Sequence, residues 1–435
     1  MRNCLLIMLG LSLAGCATTK PPNGLLGAYQ LDDGRTLSIR RSVNGTLRYR
    51  MFEDGSSGRL YRYAGNQFVS GPGFSKRDPV DLKVQFLTDE RGVANTVEWA
   101  QQNDAKRTAR RIGTEHTLRF TSHDVTLIGR LQLPEGPPPY PAVVLVHGSG
   151  DSVATEWFYN GDFFVANGIA AFTYDKRGTG QSTGAFTFDF DLLADDASAA
   201  VERIAEVAEI DKSNIGLAGY SQGAWTAPLA AQKNPTIKFV IANYGLIESP
   251  AEEARLEMRQ LLVDAEVSDV DLEDADELIR AAIEVVASNF KNGWDEFLPL
   301  KQKYADAVWM THLKGTPVGK LVGWPKFLVK LIGPWYQPDG LPWHYDSEAL
   351  LQHAETPMAW LLGGKDLSAP NAQTITKLRA LIKEGKPLEL LVFPDADHGM
   401  LIFDEQDGKR VYTGYAPDYF RMEVAAANKF TRLAD

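Results

Sequence analysis

The sequence predicts an α/β protein with a mostly parallel sheet, helices on both faces and a helical insertion, preceded by a separate antiparallel β domain. Three observations predict it. Over residues 116–435, short continuous apolar runs alternate with helical patterns, as in a parallel sheet covered on both faces. Residues 248–350 interrupt that series with apolar residues at helical spacing. Ahead of both, turn dipeptides recur between short alternating runs, the strongest local signal for hairpins.

The chain has 435 residues, 44% of them apolar, which suits two or three domains with substantial cores. Its net charge of −11 and lack of a basic run argue against nucleic acid as the main ligand. Residues 1–15, MRNCLLIMLGLSLAG, hold one charge, Arg2, and then an apolar run too short to span a bilayer. They read as a secretory signal. The signal ends in Leu13-Ala14-Gly15-Cys16, which resembles the bacterial lipobox, so Cys16 is expected to become the lipidated first residue. Ala17 follows it, which by resemblance to lipoprotein sorting favours the outer membrane, with the protein facing the periplasm. Cys4 and Cys16 are the only cysteines. A disulfide framework, a cysteine nucleophile and a cysteine-ligated zinc site are therefore excluded.

Residues 16–24 read as a tether. Residues 25–115 read as an antiparallel meander, open or barrel-like, with turns at Asp33-Gly34, Asn44-Gly45 and Asp54-Gly55. The sheet then begins with VTLIGRLQLP, followed by the breaker GPPPYP. Six buried strands are expected at AVVLVHG, IAAFTYD, IGLAGYS, KFVIANYG, PMAWLLGG and LELLVFP. The insertion precedes the fifth. Leu272, Leu278, Ile279, Ile283 and Val286 mark a helix in it. Trp294, Trp309, Trp324, Trp335 and Trp343 fall there too, most of them expected in its core. An insertion of this length is a lid or a partner surface.

The chemistry centres on Ser221, in Gly219-Tyr220-Ser221-Gln222-Gly223. G-x-S-x-G alone is a weak signal, but here an apolar strand, Ile215 to Gly219, precedes it and a helical pattern follows. A sharp strand-to-helix turn strains the serine and exposes its oxygen at the sheet edge. Gly219 and Gly223 suit positions where side chains would strike the neighbouring strand and helix. Pro228 lies in the second turn of that helix and should distort it locally.

A serine needs a base. Of seven histidines, His116 and His123 precede the sheet, His147 packs an early loop, and His312 and His344 belong to the insertion. His353 lies before PMAWLL. Only His398 lies in a loop after the last strand, on the same sheet edge as Ser221. Asp366, after the penultimate strand, can reach the far nitrogen of His398 and fix its tautomer. Glu248 is the competing acid; Asp395 and Asp397 are expected to shape the His398 turn. The oxyanion donors are the backbone amides of Gln222 and Ser149, with Gly150 possible, on a loop that Gly148 and Gly150 let come close.

Other motifs fail. There is no H-E-x-x-H and no cysteine cluster, so no metal or other cofactor is implied. GTPVGKL at Gly315 is one residue short of a P-loop and lacks Ser/Thr after Lys320. GTGQST at Gly178 has Thr183 where a dinucleotide site needs glycine. NGT at Asn44 is sufficiently explained as a turn.

Together, the order Ser221…Asp366…His398, the elbow, the HGSG loop and YDKRGTGQSTG resemble the α/β-hydrolase family over about 117–435. The insertion falls where that family often carries a cap. The resemblance implies a serine hydrolase working through an acyl-enzyme. The first expectation is a carboxylic ester, with an apolar acyl or aryl group suggested by the tryptophan-rich cap. A prolyl-oligopeptidase-type peptidase, an acyl thioesterase and a degenerate, non-enzymatic binding module of the envelope are the alternatives. In that family the stretch Asp175 to Gly180 structures a turn beside the site. Oligomeric state is open.

Overall fold

A computed structural model describes residues 23–432 apart from 103 and 337; the leader and Cys16 lie outside the described residues. Nine strands come first: β1 (Gly27–Leu31), β2 (Thr36–Arg41), β3 (Leu47–Met51), β4 (Ser57–Arg59), β5 (Tyr61–Ala64), β6 (Gln67–Ser70), β7 (Leu82–Thr88), β8 (Ala94–Gln101) and β9 (Arg107–Arg111). They form one antiparallel sheet in the order β4-β3-β2-β1-β9-β8-β7-β6-β5. The first strand pairs with the last. The two edges, β4 and β5, are joined through Leu60 alone. The sheet therefore curls round as a meander whose ring is open only between consecutive strands. Its inner face buries Leu37, Ile39, Phe68, Phe86, Val97 and Trp99.

The second sheet has eight strands: β10 (Thr114–Ser122), β11 (Val125–Leu133), β12 (Tyr140–Val146), β13 (Ala170–Tyr174), β14 (Ile210–Tyr220), β15 (Val240–Asn243), β16 (Met358–Gly363) and β17 (Leu388–Phe393). Their order is β10-β11-β13-β12-β14-β15-β16-β17. β10, β11 and β13 pair antiparallel, and β13 onward is parallel. All six expected strands are present, but β17 is an edge strand and only half-buried, against the expectation of a buried one. β10 was not foreseen, and it makes His116 part of the sheet rather than a residue before it. It is an edge strand with mostly exposed side chains, so it lacks the apolar run that reveals a strand in sequence.

Between the strands lie α1 (Ala154–Trp157), α2 (Asn160–Ala166), α3 (Phe190–Ala205) and α4 (Gly223–Lys233). The insertion holds α5 (Pro250–Asp264), α6 (Asp269–Ala287), α7 (Trp294–Lys303), α8 (Pro317–Gly323), α9 (Lys326–Ile332) and α10 (Ser347–Gln352), followed by α11 (Ala372–Lys383) and α12 (Tyr419–Arg432). Alternate residues along β12 explain why both faces are covered. Val144 faces the core layer under α3 and α4, whereas Val143 and Leu145 face the opposite layer, which holds α2 and α12. The cap has its own core, from Ala251 to Trp343. Trp294, Trp309 and Trp343 are buried in it and Trp324 packs against it, but Trp335 stands in solvent.

The barrel-like sheet docks on the second unit through a buried ion pair. Arg40 meets Asp162 of α2 at 2.6 Å, and Ser38 and Gln132 donate to the same carboxylate at 2.5 and 2.8 Å. Beside it, the Phe52 ring packs between Phe163 and Phe420 at 4.8 and 4.6 Å.

Candidate active site

β14 ends at Tyr220 and α4 begins at Gly223, which puts Ser221 on a two-residue turn. Its φ is 55°, a left-handed conformation that is unfavourable for a residue with a Cβ. The surroundings hold it there. A Cβ on Gly219 would lie 2.1 Å from Gly223 O, and one on Gly223 would lie 2.4 Å from Val146 O. Glycine at both positions lets α4 start hard against the strand ends. Pro228 lies within α4, which continues through it.

His398 opens a short 3-10 turn after β17. Its Nδ1 is 2.8 Å from Asp366 Oδ2. A carboxylate only accepts, so Nδ1 carries the hydrogen and Nε2 is left as the basic nitrogen. The other Asp366 oxygen accepts from the amides of Ser368 and Ala369 at 2.9 and 2.8 Å. Burial pulls the His398 pKa down, but the charge and hydrogen bond of Asp366, helped by Glu253 and Asp397, lift it above 6.5. The imidazole stands edge-on to Tyr244, with centroids 5.0 Å apart. Among the described residues, no hydrogen bond joins Ser221 Oγ to His398.

The competing acid is engaged elsewhere. Glu248 accepts a short hydrogen bond from Thr374 and lies 3.6 Å from Lys377, both on α11. Asp395 pairs with Lys365 at 2.9 Å. Asp397 braces the loop: it accepts from the His398 amide at 2.8 Å and the Tyr412 hydroxyl at 2.8 Å, and pairs with Arg410 at 2.8 Å. Tyr412 and Arg410 lie on the second strand of a hairpin, β18 (Leu401–Gln406) and β19 (Lys409–Tyr415). That hairpin touches the barrel, where the Tyr415 amide donates to Gly55 O at 2.9 Å and Arg50 donates to the Tyr415 hydroxyl at 3.0 Å.

Two amides lie free beside the serine. Among the described residues no hydrogen bond uses the backbone N–H of Ser149 or of Gln222. Their loops are close, since a Cβ on Gly148 would lie 3.3 Å from Ser221 Cβ. His147 is buried with its ring 5.1 Å from that of Tyr174. Burial, then the neighbouring Lys176, hold its pKa well below 6.5, so it is a neutral packing residue.

Three groups were not singled out in the sequence. Lys176 is buried; its Nζ donates to Gly148 O at 2.8 Å and to Gln222 Oε1 at 3.0 Å, tying the two amide-bearing segments together. Burial lowers its pKa to about 7, against the opposing pull of Asp151 and Asp196. A lysine flanked by Asp175 and Arg177 reads as surface, and only the fold puts it inside. Beneath the elbow, Glu423 of α12 accepts from Tyr220, Asn243 and Asn160 at 2.6, 3.0 and 2.9 Å, and burial pushes it up to about 7. Glu253 and Glu257 lie one turn apart on α5, and burial raises them to about 8 and about 7 within the field of His398. Among the described residues, no group of three or more His, Cys, Asp or Glu side chains could hold a metal ion.

A strained serine on a strand-to-helix turn, with a histidine-carboxylate pair on the same sheet edge, defines a hydrolase of the α/β fold. The alpha/beta hydrolase family model matches residues 143–413, more than half of the chain, and the protein belongs to that family. It is 31% identical over 126 residues to Esterase EstD of Thermotoga maritima, a match covering 26% of this chain and 30% of that protein. It is 33% identical over 104 residues to Thiohydrolase apmlB of Arthrinium phaeospermum, covering 23% and 34%. The chain thus spans about a third of the length of these relatives. Among solved structures, an esterase of Pyrococcus furiosus shares 16% identity at a TM-score of 0.44, covering 74% of this chain and 91% of that one. The acylaminoacyl peptidase of Pyrococcus horikoshii shares 14% at 0.44, covering 90% and 54%.

Proposed function

We propose that the protein is a serine hydrolase acting on carboxylic esters through an acyl-enzyme. The observation that carries this is the 2.8 Å contact between His398 Nδ1 and Asp366 Oδ2 beside a serine held at φ 55°. With Nδ1–H on the carboxylate, Nε2 is free to accept a proton. The reaction requires Ser221 Oγ to reach that nitrogen, a contact that commonly tightens only with substrate bound. Oγ then attacks the ester carbonyl while His398 takes its proton. The amides of Ser149 and Gln222 donate to the oxyanion. His398 protonates the departing alkoxide, and a water activated by the same nitrogen releases the acid.

Ester hydrolysis is favoured because an alkoxide leaves more readily than an amine, and the name of the Thermotoga maritima relative agrees. The name of the Arthrinium phaeospermum relative supports thioesters as the second reading. Short nitrophenyl esters, acyl thioesters and peptide anilides assayed side by side decide among them. A fluorophosphonate should label wild type and leave S221A unlabelled. S221A should lose about 10⁶-fold in kcat. Ester turnover undiminished in S221A rules the mechanism out. The leader adds a separate proposal: lipidation at Cys16 holds the enzyme in the bacterial envelope, probed by acyl labelling of wild type against C16S.

A further inference from the structure

We infer that the cap carries a membrane-docking face, built on α9 and the 3-10 turn after it, that seats on an anionic phospholipid surface. The inference goes beyond the catalytic proposal and does not depend on it, nor on the leader.

Phe327, Leu331 and Trp335 follow one another at four-residue intervals, so they line one side of α9 and its continuation. They are 73%, 68% and 85% exposed. Isolated exposed apolar residues are ordinary, but three large ones in register on one stripe are not. The opposite side is held in place. Val329 is buried in the cap core, and Gly333 lies so close to Phe290 that a Cβ there would come within 2.8 Å of its ring. The stripe is therefore presented by a packed scaffold and is not a loose end.

Charge and apolar side chains together identify the occupant. The whole chain is strongly acidic, yet from 307 to 338 there is no Asp or Glu and there are four lysines: Lys314, Lys320, Lys326 and Lys330. Lys314, Lys320 and Lys330 are exposed. Lys326 and Lys330 flank the stripe, with their ammonium groups 5.2 and 5.9 Å from the centre of the Trp294 ring. Phe, Leu and Trp projecting between lysines is the composition of a helix that lies in a membrane interface, its apolar side chains below the headgroups and its cations among the phosphates. Trp335 suits that boundary, with an apolar ring and one N–H. A second copy of this chain, acidic overall, also complements the lysines; the large apolar side chains set between them are what favour a lipid surface, and the test separates the two. Among the described residues no helix is long and apolar enough to cross a membrane, so the contact is peripheral.

The test uses the full chain with C4S and C16S, which removes both native thiols and any acylation. One cysteine is added, at Leu331, or at Tyr63 as a control on the barrel, and labelled with an environment-sensitive dye. Phosphatidylcholine vesicles are compared with vesicles containing phosphatidylglycerol. A blue-shifted emission at position 331 that requires phosphatidylglycerol, with position 63 unchanged, supports docking. K326Q/K330Q should then weaken vesicle affinity about 25-fold, at roughly fivefold per lysine. F327S/L331S/W335S should abolish the affinity while leaving the unfolding midpoint near that of wild type. No shift at 331 on anionic vesicles overturns the inference. So does a shift that grows with protein concentration in the absence of vesicles and accompanies a doubled mass, which assigns the face to a second copy.

Discussion

Replacing Lys176 with methionine tests whether one buried amine ties together the segments carrying the Ser149 and Gln222 amides, the proposed oxyanion donors. Its bonds to Gly148 O and Gln222 Oε1 are 2.8 and 3.0 Å long, and Phe186 covers it with its ring centre 4.9 Å away. Burial, partly countered by Asp151 and Asp196, takes its pKa from 10.5 to about 7. The unfolded chain keeps the ordinary value. Between those two values it binds more protons than the folded protein, so wild-type stability rises with pH across that window. The penalty is absent above the unfolded value, grows as pH falls, and is complete below the folded one. Between about pH 7.5 and about pH 9.5 this contribution changes by about 2.5 kcal/mol. Methionine removes it. Urea unfolding of both proteins at the two pH values, with equal m, should show the wild-type minus K176M difference growing by that amount. The lost tie should also lower kcat about 10²-fold with little change in KM, as for one misplaced oxyanion donor. Parallel stability curves would refute the depressed amine, and an unchanged kcat would refute the tie.

Other expectations follow from the same geometry. D366N leaves the imidazole in the wrong tautomer and should lower kcat by about 10⁴-fold. Because His398 titrates above 6.5, the acid limb of kcat/KM should inflect above that pH in wild type and move down in D366N. G223A drives a Cβ toward Val146 O, 2.4 Å away; it should lower stability by about 1–3 kcal/mol and displace Ser221, read by unfolding midpoint and fluorophosphonate labelling rate. D162N leaves buried Arg40 with Glu115 as its remaining carboxylate and should cost less than the about 3–5 kcal/mol of a fully unpaired buried charge, read by chemical unfolding. Burial raises the Asp162 pKa and Arg40 outweighs it, for a net value below 3.8. The wild-type advantage over D162N should accordingly persist above that pH and fade as pH drops below it.

The local parts of this protein were legible residue by residue. Gly219, Ser221 and Gly223 announce the elbow because few other residues fit a strand-to-helix turn that close to its neighbours. His398 and Asp366 were found by their places after successive strands, since residues at the carboxyl ends of parallel strands share one edge. The hairpin turns of the first sheet were equally local. What the tertiary structure alone decided are contacts between residues far apart in the chain. Glu248 and Asp366 were both plausible acids from strand order; the packing of α11 turned Glu248 toward Thr374 and Lys377 and left Asp366 to the imidazole. Lys176 and Glu423 look like surface residues in sequence, and burial in the fold is what changes their chemistry. Of five cap tryptophans, helical packing buried three and left Trp335 outside. Sequence period reports which side of an element is apolar; only the assembled structure determines what, if anything, covers that side.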